Sequence, residues 1–224
     1  MSYDASRNAS PSLAESLSAD LNQTTQLAQD DTVRELEAFI ASVPARTELY
    51  NTRKHFYMGI FCAAILGLLL GVSFVQGQSS PGLQWVLGGC VAIGLIMALN
   101  HLGAGKKPEA TLTHTTLTAS NMDGALNLYD VVDIEVSRWF QVAMHLDVEA
   151  PNQLPKTRTR RGFYPAQAVS QPRHQPPRLS LMLSGVRVNG KSLDNEEIHA
   201  LIADYVNVAR AHHQLAAIRA GRPV

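Results

Sequence analysis

The chain has 224 residues, a formal net charge of zero and 17% charged residues, below the roughly 25% of an ordinary soluble domain. Two cysteines, far apart, exclude a disulfide framework and a CxxC-type metal site. Zero net charge removes any global electrostatic argument for nucleic acid, so function must be read from where charge and apolarity are placed.

Residues 1–30 are rich in Ser, Ala, Asn, Gln and Thr and lack an aromatic after Tyr3, which predicts a disordered polar tail. Leu13, Leu17 and Leu21 recur at helical spacing and would suit a helix formed on contact with a partner. Residues 31–54 read as a cytoplasmic amphipathic helix and linker. Thr32 and Glu35 have capping-box spacing, Leu36, Phe39, Ile40 and Val43 share a face, and Pro44 ends the run. Its acids outnumber its single cation, Arg34, which favours packing on protein over contact with anionic headgroups.

Residues 55–103 hold two apolar segments, 56–75 and 83–102, free of Asp, Glu, Lys and Arg and joined by an uncharged connector. Each reaches the roughly 20 residues that a helix needs to cross the hydrocarbon core, so they predict a transmembrane helical hairpin. Arg46, Arg53 and Lys54 precede it and Lys106 and Lys107 follow, which places both termini in the cytoplasm. Gly59, Ala63, Gly67 and Gly71 form one small-residue stripe, and Cys90, Gly94 and Ala98 another. Both suit close packing within the hairpin, and the Gly59–Gly71 stripe could instead make a homodimer. The spans hold no ionisable residue apart from His101 at the inner rim, which argues against an ion or proton path.

Residues 108–222 read as a cytoplasmic β domain with a C-terminal helix. Threonines alternate with other residues in ATLTHTTLT, and SNMDG, ending at Gly124, is a turn signal. Val132, Ile134 and Val136 alternate with Asp133 and Glu135. Val142, Met144, Leu146 and Val148 alternate with Ala143, His145, Asp147 and Glu149, as in an antiparallel sheet with one wet face. A Pro/Arg-rich loop over residues 150–178 interrupts the sheet, with a short edge strand expected within 163–169. A strand carrying Leu179, Leu181 and Leu183 runs on to Val188, and Asn189-Gly190 turns the chain. Ser192 or Asp194 then caps a helix whose buried stripe is Ile198, Leu201, Ile202, Tyr205, Val206 and Ala209.

No Walker loop, GxSxG, GxGxxG or HExxH motif is present, and no cofactor is expected. His145, Asp147 and Glu149 share a strand face with metal-ligand chemistry, though a solvated strand gives the same pattern, and no metal is assigned there. The uneven feature is charge: between Glu149 and Asp194 there is no acid, while Lys156, Arg158, Arg160, Arg161, Arg173 and Arg178 accumulate beside Phe163 and Tyr164. That set is the candidate surface for anionic lipid or a protein partner. Nucleic acid is not expected, because no folded recognition motif accompanies it.

The segments TLTHTTLTAS, LYDVVDIEV and VRVNGKSLDNEEIHALIADYV resemble the pleckstrin-homology-like (PH-like) modules of bacterial membrane proteins, several of which follow a two-helix anchor. The resemblance spans residues 110–210 and is one of pattern. It implies a partly open barrel capped by a helix, used for binding and not for catalysis, in a two-pass protein of the bacterial inner membrane. The expected function is a non-enzymatic membrane-anchored adaptor that binds a protein partner or anionic lipid. The alternative is a membrane-embedded subunit, or a neutraliser of a membrane complex, that acts through the hairpin.

Overall fold

The computed structural model describes residues 13–77, 80–138, 141–149, 154–158 and 167–220. They fall into two compact units. The larger covers residues 43–210; the smaller joins the chain up to residue 42 to the chain after residue 210.

In the smaller unit, helix α1 spans Leu13–Ser42. The helix therefore starts well before Thr32, and the tail expected to be disordered is helical from Leu13 on; residues 1–12 lie outside the described residues. The stretch 13–42 has no Gly or Pro and is rich in Leu, Ala, Glu and Gln, so nothing local interrupts the helix. Thr32 caps nothing. It sits inside the helix, and its hydroxyl donates back to the Ala28 carbonyl at 2.8 Å. Glu37, on α1, meets Arg219, near the C-terminus, at 2.6 Å in an exposed pair.

The larger unit begins with strand β1 (Arg46–Asn51), where a linker was expected. Helices α2 (Lys54–Gln76) and α3 (Pro81–Asn100) follow as an antiparallel hairpin. Both are long and apolar enough to cross a membrane. Gly77, in the left-handed region with φ of 63°, ends α2, and the Ser80 hydroxyl accepts from Leu83 N to cap α3.

After the hairpin come β2 (Pro108–Thr113), β3 (Thr116–Ala119), β4 (Met122–Asp123), β5 (Leu126–Asn127), β6 (Val131–Arg138) and β7 (Val142–Val148). Then follow β8 (Lys156–Thr157), β9 (Gln167–Gln171), β10 (Arg178–Leu183), β11 (Val186–Val188), β12 (Lys191–Leu193) and helix α4 (Asn195–Arg219). A six-stranded sheet runs β12-β11-β1-β2-β3-β5, a four-stranded sheet runs β6-β7-β10-β9, and β4 pairs with β8. All pairings among the described residues are antiparallel.

One core joins both sheets to α4. Leu49, Leu112, Leu117 and Leu126 come from the first sheet, and Met144, Leu146, Leu179 and Leu183 from the second. Ile198, Ile202, Tyr205 and Val206 come from the helix. The Tyr205 hydroxyl finds its partners on the segment before the hairpin, Pro44 O and Thr47 Oγ1, both at 2.7 Å. Asp194 and Glu197 form a reciprocal capping box at the start of α4: Glu197 N donates to Asp194 Oδ1 at 2.8 Å and Asp194 N to Glu197 Oε2 at 3.0 Å.

Local pattern misled in three places. A register shift between Val131 and Asp133 is a bulge that turns Val132 outward, so only Ile134 and Val136 keep the expected face. The expected continuous strand 179–188 breaks at Ser184-Gly185 and passes from one sheet to the other. The β7 face expected to be wet is partly closed, because Asp147 is buried. By contrast Asn189 and Gly190, with φ of 49° and 85°, make the two-residue turn between β11 and β12 that their types predict.

Candidate functional site

The decisive placement is that of the hairpin. β1 and β2 are hydrogen-bonded neighbours, with Tyr50 opposite Pro108, so α2 and α3 form the connection between two adjacent strands of one sheet. The sequence signal was present but short: Thr47, Leu49 and Asn51 alternate with Glu48 and Tyr50, and all three are buried. The β domain therefore starts before the hairpin, not at residue 108.

The base of the hairpin is tied down by polar contacts. Arg53 Nε donates to Ala104 O at 3.1 Å. Asn51 Oδ1 accepts from Ser184 N at 2.7 Å, and the Ser184 hydroxyl also lies against Asn51 Oδ1 and Thr52 O. His55 and His101, both buried, stack edge to face with ring centroids 5.2 Å apart, and His101 Nδ1 lies 3.0 Å from Met97 O. His55 was missed as a partner of His101 because nothing in the sequence links the start of one apolar run to the end of the other.

The small-residue stripes divide. A Cβ on Gly59 would lie 2.7 Å from Gly94 O and 2.9 Å from Ala98 N, and one on Gly94 would lie 3.2 Å from Ala63 N. Gly59, Ala63, Gly94 and Ala98 thus make the close backbone approach that only small residues permit. Gly67 and Gly71 have nothing within 4 Å of the position a Cβ would take, and Cys90 is half-buried.

The basic set does not form one surface among the described residues. Arg178 lies directly opposite Asp147 across β10 and β7. Its Nε and Nη2 donate to the two carboxylate oxygens at 2.6 and 3.0 Å, and its Nη1 to Glu135 Oε2 at 3.1 Å. The guanidinium beside Asp147 holds that carboxyl below the usual carboxylate range. Arg158 Nε donates to Asp123 Oδ2 at 2.9 Å, an exposed pair. Lys156, on β8, and Arg173, in the turn between β9 and β10, are exposed. Arg160, Arg161, Phe163 and Tyr164 lie outside the described residues.

The strand face with metal-ligand residue types is engaged elsewhere. His145 Nδ1 lies 2.8 Å from Ser180 Oγ, and Asp147 is held by Arg178. Among the described residues no group of three or more His, Cys, Asp or Glu is placed to hold a metal ion. No protein-family model, curated protein or solved structure matches the chain.

Proposed function

We propose that this chain is a non-enzymatic, membrane-anchored binding protein whose hairpin crosses the bilayer and whose PH-like β domain meets a protein partner or anionic lipid at the cytoplasmic face. The observation that carries the reading is the insertion of α2 and α3 between two paired strands. A spanning hairpin built that way starts and ends beside the same sheet, so its two flanks share one side of the membrane. The cations at both ends support the cytoplasm as that side. The outward side chains of the hairpin support insertion: Phe61, Leu68, Phe74, Trp85 and Leu99 are all exposed. A contiguous apolar surface of this kind calls for lipid or protein cover. Two antiparallel sheets with a C-terminal helix on one core are consistent with a PH-like module.

Single cysteines introduced into a chain without Cys62 and Cys90 test the topology by their accessibility to impermeant reagents. Cysteines at Glu48 and Asp204 should react only from the cytoplasmic side and one at Ser79 only from the other. Labelling of Glu48 and Asp204 from opposite sides would end the proposal. A second reading, an embedded subunit acting through the hairpin, is favoured by one observation: Gly67 and Gly71 have nothing packed against them. It predicts that Gly67→Leu/Gly71→Leu abolishes recovery of co-purifying proteins, whereas the adaptor reading predicts no change.

A further inference from the structure

We propose that the pocket at the base of the hairpin is a binding site for the phosphate group of an anionic membrane lipid. The proposal rests on the membrane reading above and names a ligand for the junction between hairpin and sheet. The pocket has a volume of about 290 Å³ and is lined by Thr52, Lys54, Arg138, Gln141, Ser184 and Ser192, with no carboxylate among its described lining residues. That volume is at the small end of ligand sites, suited to a headgroup.

Its chemistry is that of an anion site. Lys54 has no hydrogen-bond or ion-pair partner among the described residues, so its ammonium is available. Arg138 gives one long hydrogen bond, 3.3 Å, to Leu193 O, which leaves most of its guanidinium donors uncommitted. Thr52 Oγ1 is buried without a partner among the described residues, a cost that a hydrogen-bonding ligand would remove. The helix end points the same way. Lys54 opens α2, and the residue before it, Arg53, supplies no side-chain cap, so the first-turn amides and the positive end of the helix dipole are left for an acceptor.

The fold explains why these groups meet. Thr52 and Lys54 lie where β1 passes into α2, Arg138 ends β6, Ser184 follows β10, and Ser192 lies on β12, so four separate segments converge. Gly185 permits the closure, because a Cβ there would lie 2.6 Å from Thr52 Oγ1. Lys54 is the first residue of an apolar helix, which puts the pocket at headgroup depth when the hairpin spans the bilayer.

Native mass spectrometry of the intact protein in mild detergent tests this with three probes: phosphatidylglycerol, phosphatidylcholine and glycerol 1-phosphate. Phosphatidylglycerol should be retained at least tenfold better than phosphatidylcholine. Lys54→Gln/Arg138→Gln should weaken its retention about thirty-fold, from about 1 kcal/mol per cation, while Arg34→Gln on α1 should not. Both pocket cations are at the surface, so the double variant should keep its protease resistance. Equal retention by the double variant overturns the site. Binding of glycerol 1-phosphate without the lipid, lost in the same variant, overturns the lipid and leaves a soluble phosphate ester as the ligand. Alkaline carbonate extraction in parallel reads the membrane reading separately, since release of the chain would sink that reading while the glycerol 1-phosphate arm still reports on the pocket.

Discussion

Arg178→Met should destabilise the β domain by about 3–4 kcal/mol at pH 7, although Arg178 lies in the arginine-rich segment that reads as a binding surface. The Arg178 and Asp147 side chains are only 19% and 9% exposed, and their bidentate contact is the main charge neutralisation Asp147 has. Removing the arginine leaves a buried carboxylate, and breaking one side of such a pair costs about 3–5 kcal/mol. The carboxylate can escape by taking up a proton. From an ordinary value near 3.9 that costs about 1.4 kcal/mol per pH unit, so about 4 kcal/mol at pH 7 is the ceiling. The penalty should therefore shrink as pH falls toward about 4, where the proton is bound without cost. In the parent chain the sign is opposite. Asp147 is depressed by Arg178, so its stabilisation is complete above its ordinary value and is lost as pH falls through the lowered one. Asp147→Leu/Arg178→Met should recover all but about 1 kcal/mol, since an apolar pair of similar volume is often as stable. Pulse proteolysis of the intact, detergent-solubilised protein across a urea series reads each term. A loss below about 1 kcal/mol for Arg178→Met at pH 7, or a double variant no better than the single, would show that the pair does not bear on the fold.

Four further outcomes test the architecture. Replacing residues 53–106 with a short Gly/Ser turn should leave a soluble β domain that unfolds cooperatively, because Tyr50 and Pro108 are already opposite each other. A fragment beginning at Pro108 should be protease-sensitive, because it loses Leu49 from the core and leaves one edge each of β2 and β11 without its neighbour. Gly59→Val should destabilise the hairpin by about 1–3 kcal/mol in a detergent-denaturation assay, as overpacking does. Gly71→Val should stay within about 0.5 kcal/mol, as surface substitutions do. Tyr205→Phe should cost about 1–2 kcal/mol by urea denaturation, since it leaves buried acceptors before the hairpin without their donor.

What the amino-acid sequence determined by itself is what depends on near neighbours. Two charge-free runs of membrane length became α2 and α3, Asn189-Gly190 became a two-residue turn, and Asp194 with Glu197 became a capping box. The alternation of Val142, Met144, Leu146 and Val148 placed all four in the core. Each signal is contained within one turn of helix or a few residues of strand. Tertiary structure decided everything that needed a distant partner. β1 is a strand because β2 and β11, across the hairpin and from the far end of the domain, pair with its two edges. The same is true of Arg178, which reads as one more cation in a basic run until strand register sets it opposite Asp147. Gly59 and Gly71 are equivalent in a helical pattern, and only the partner helix, closing on one of them, separates a packing residue from an open surface. A local period states which face a side chain occupies; which group will be there to meet it is set by the chain's return from elsewhere.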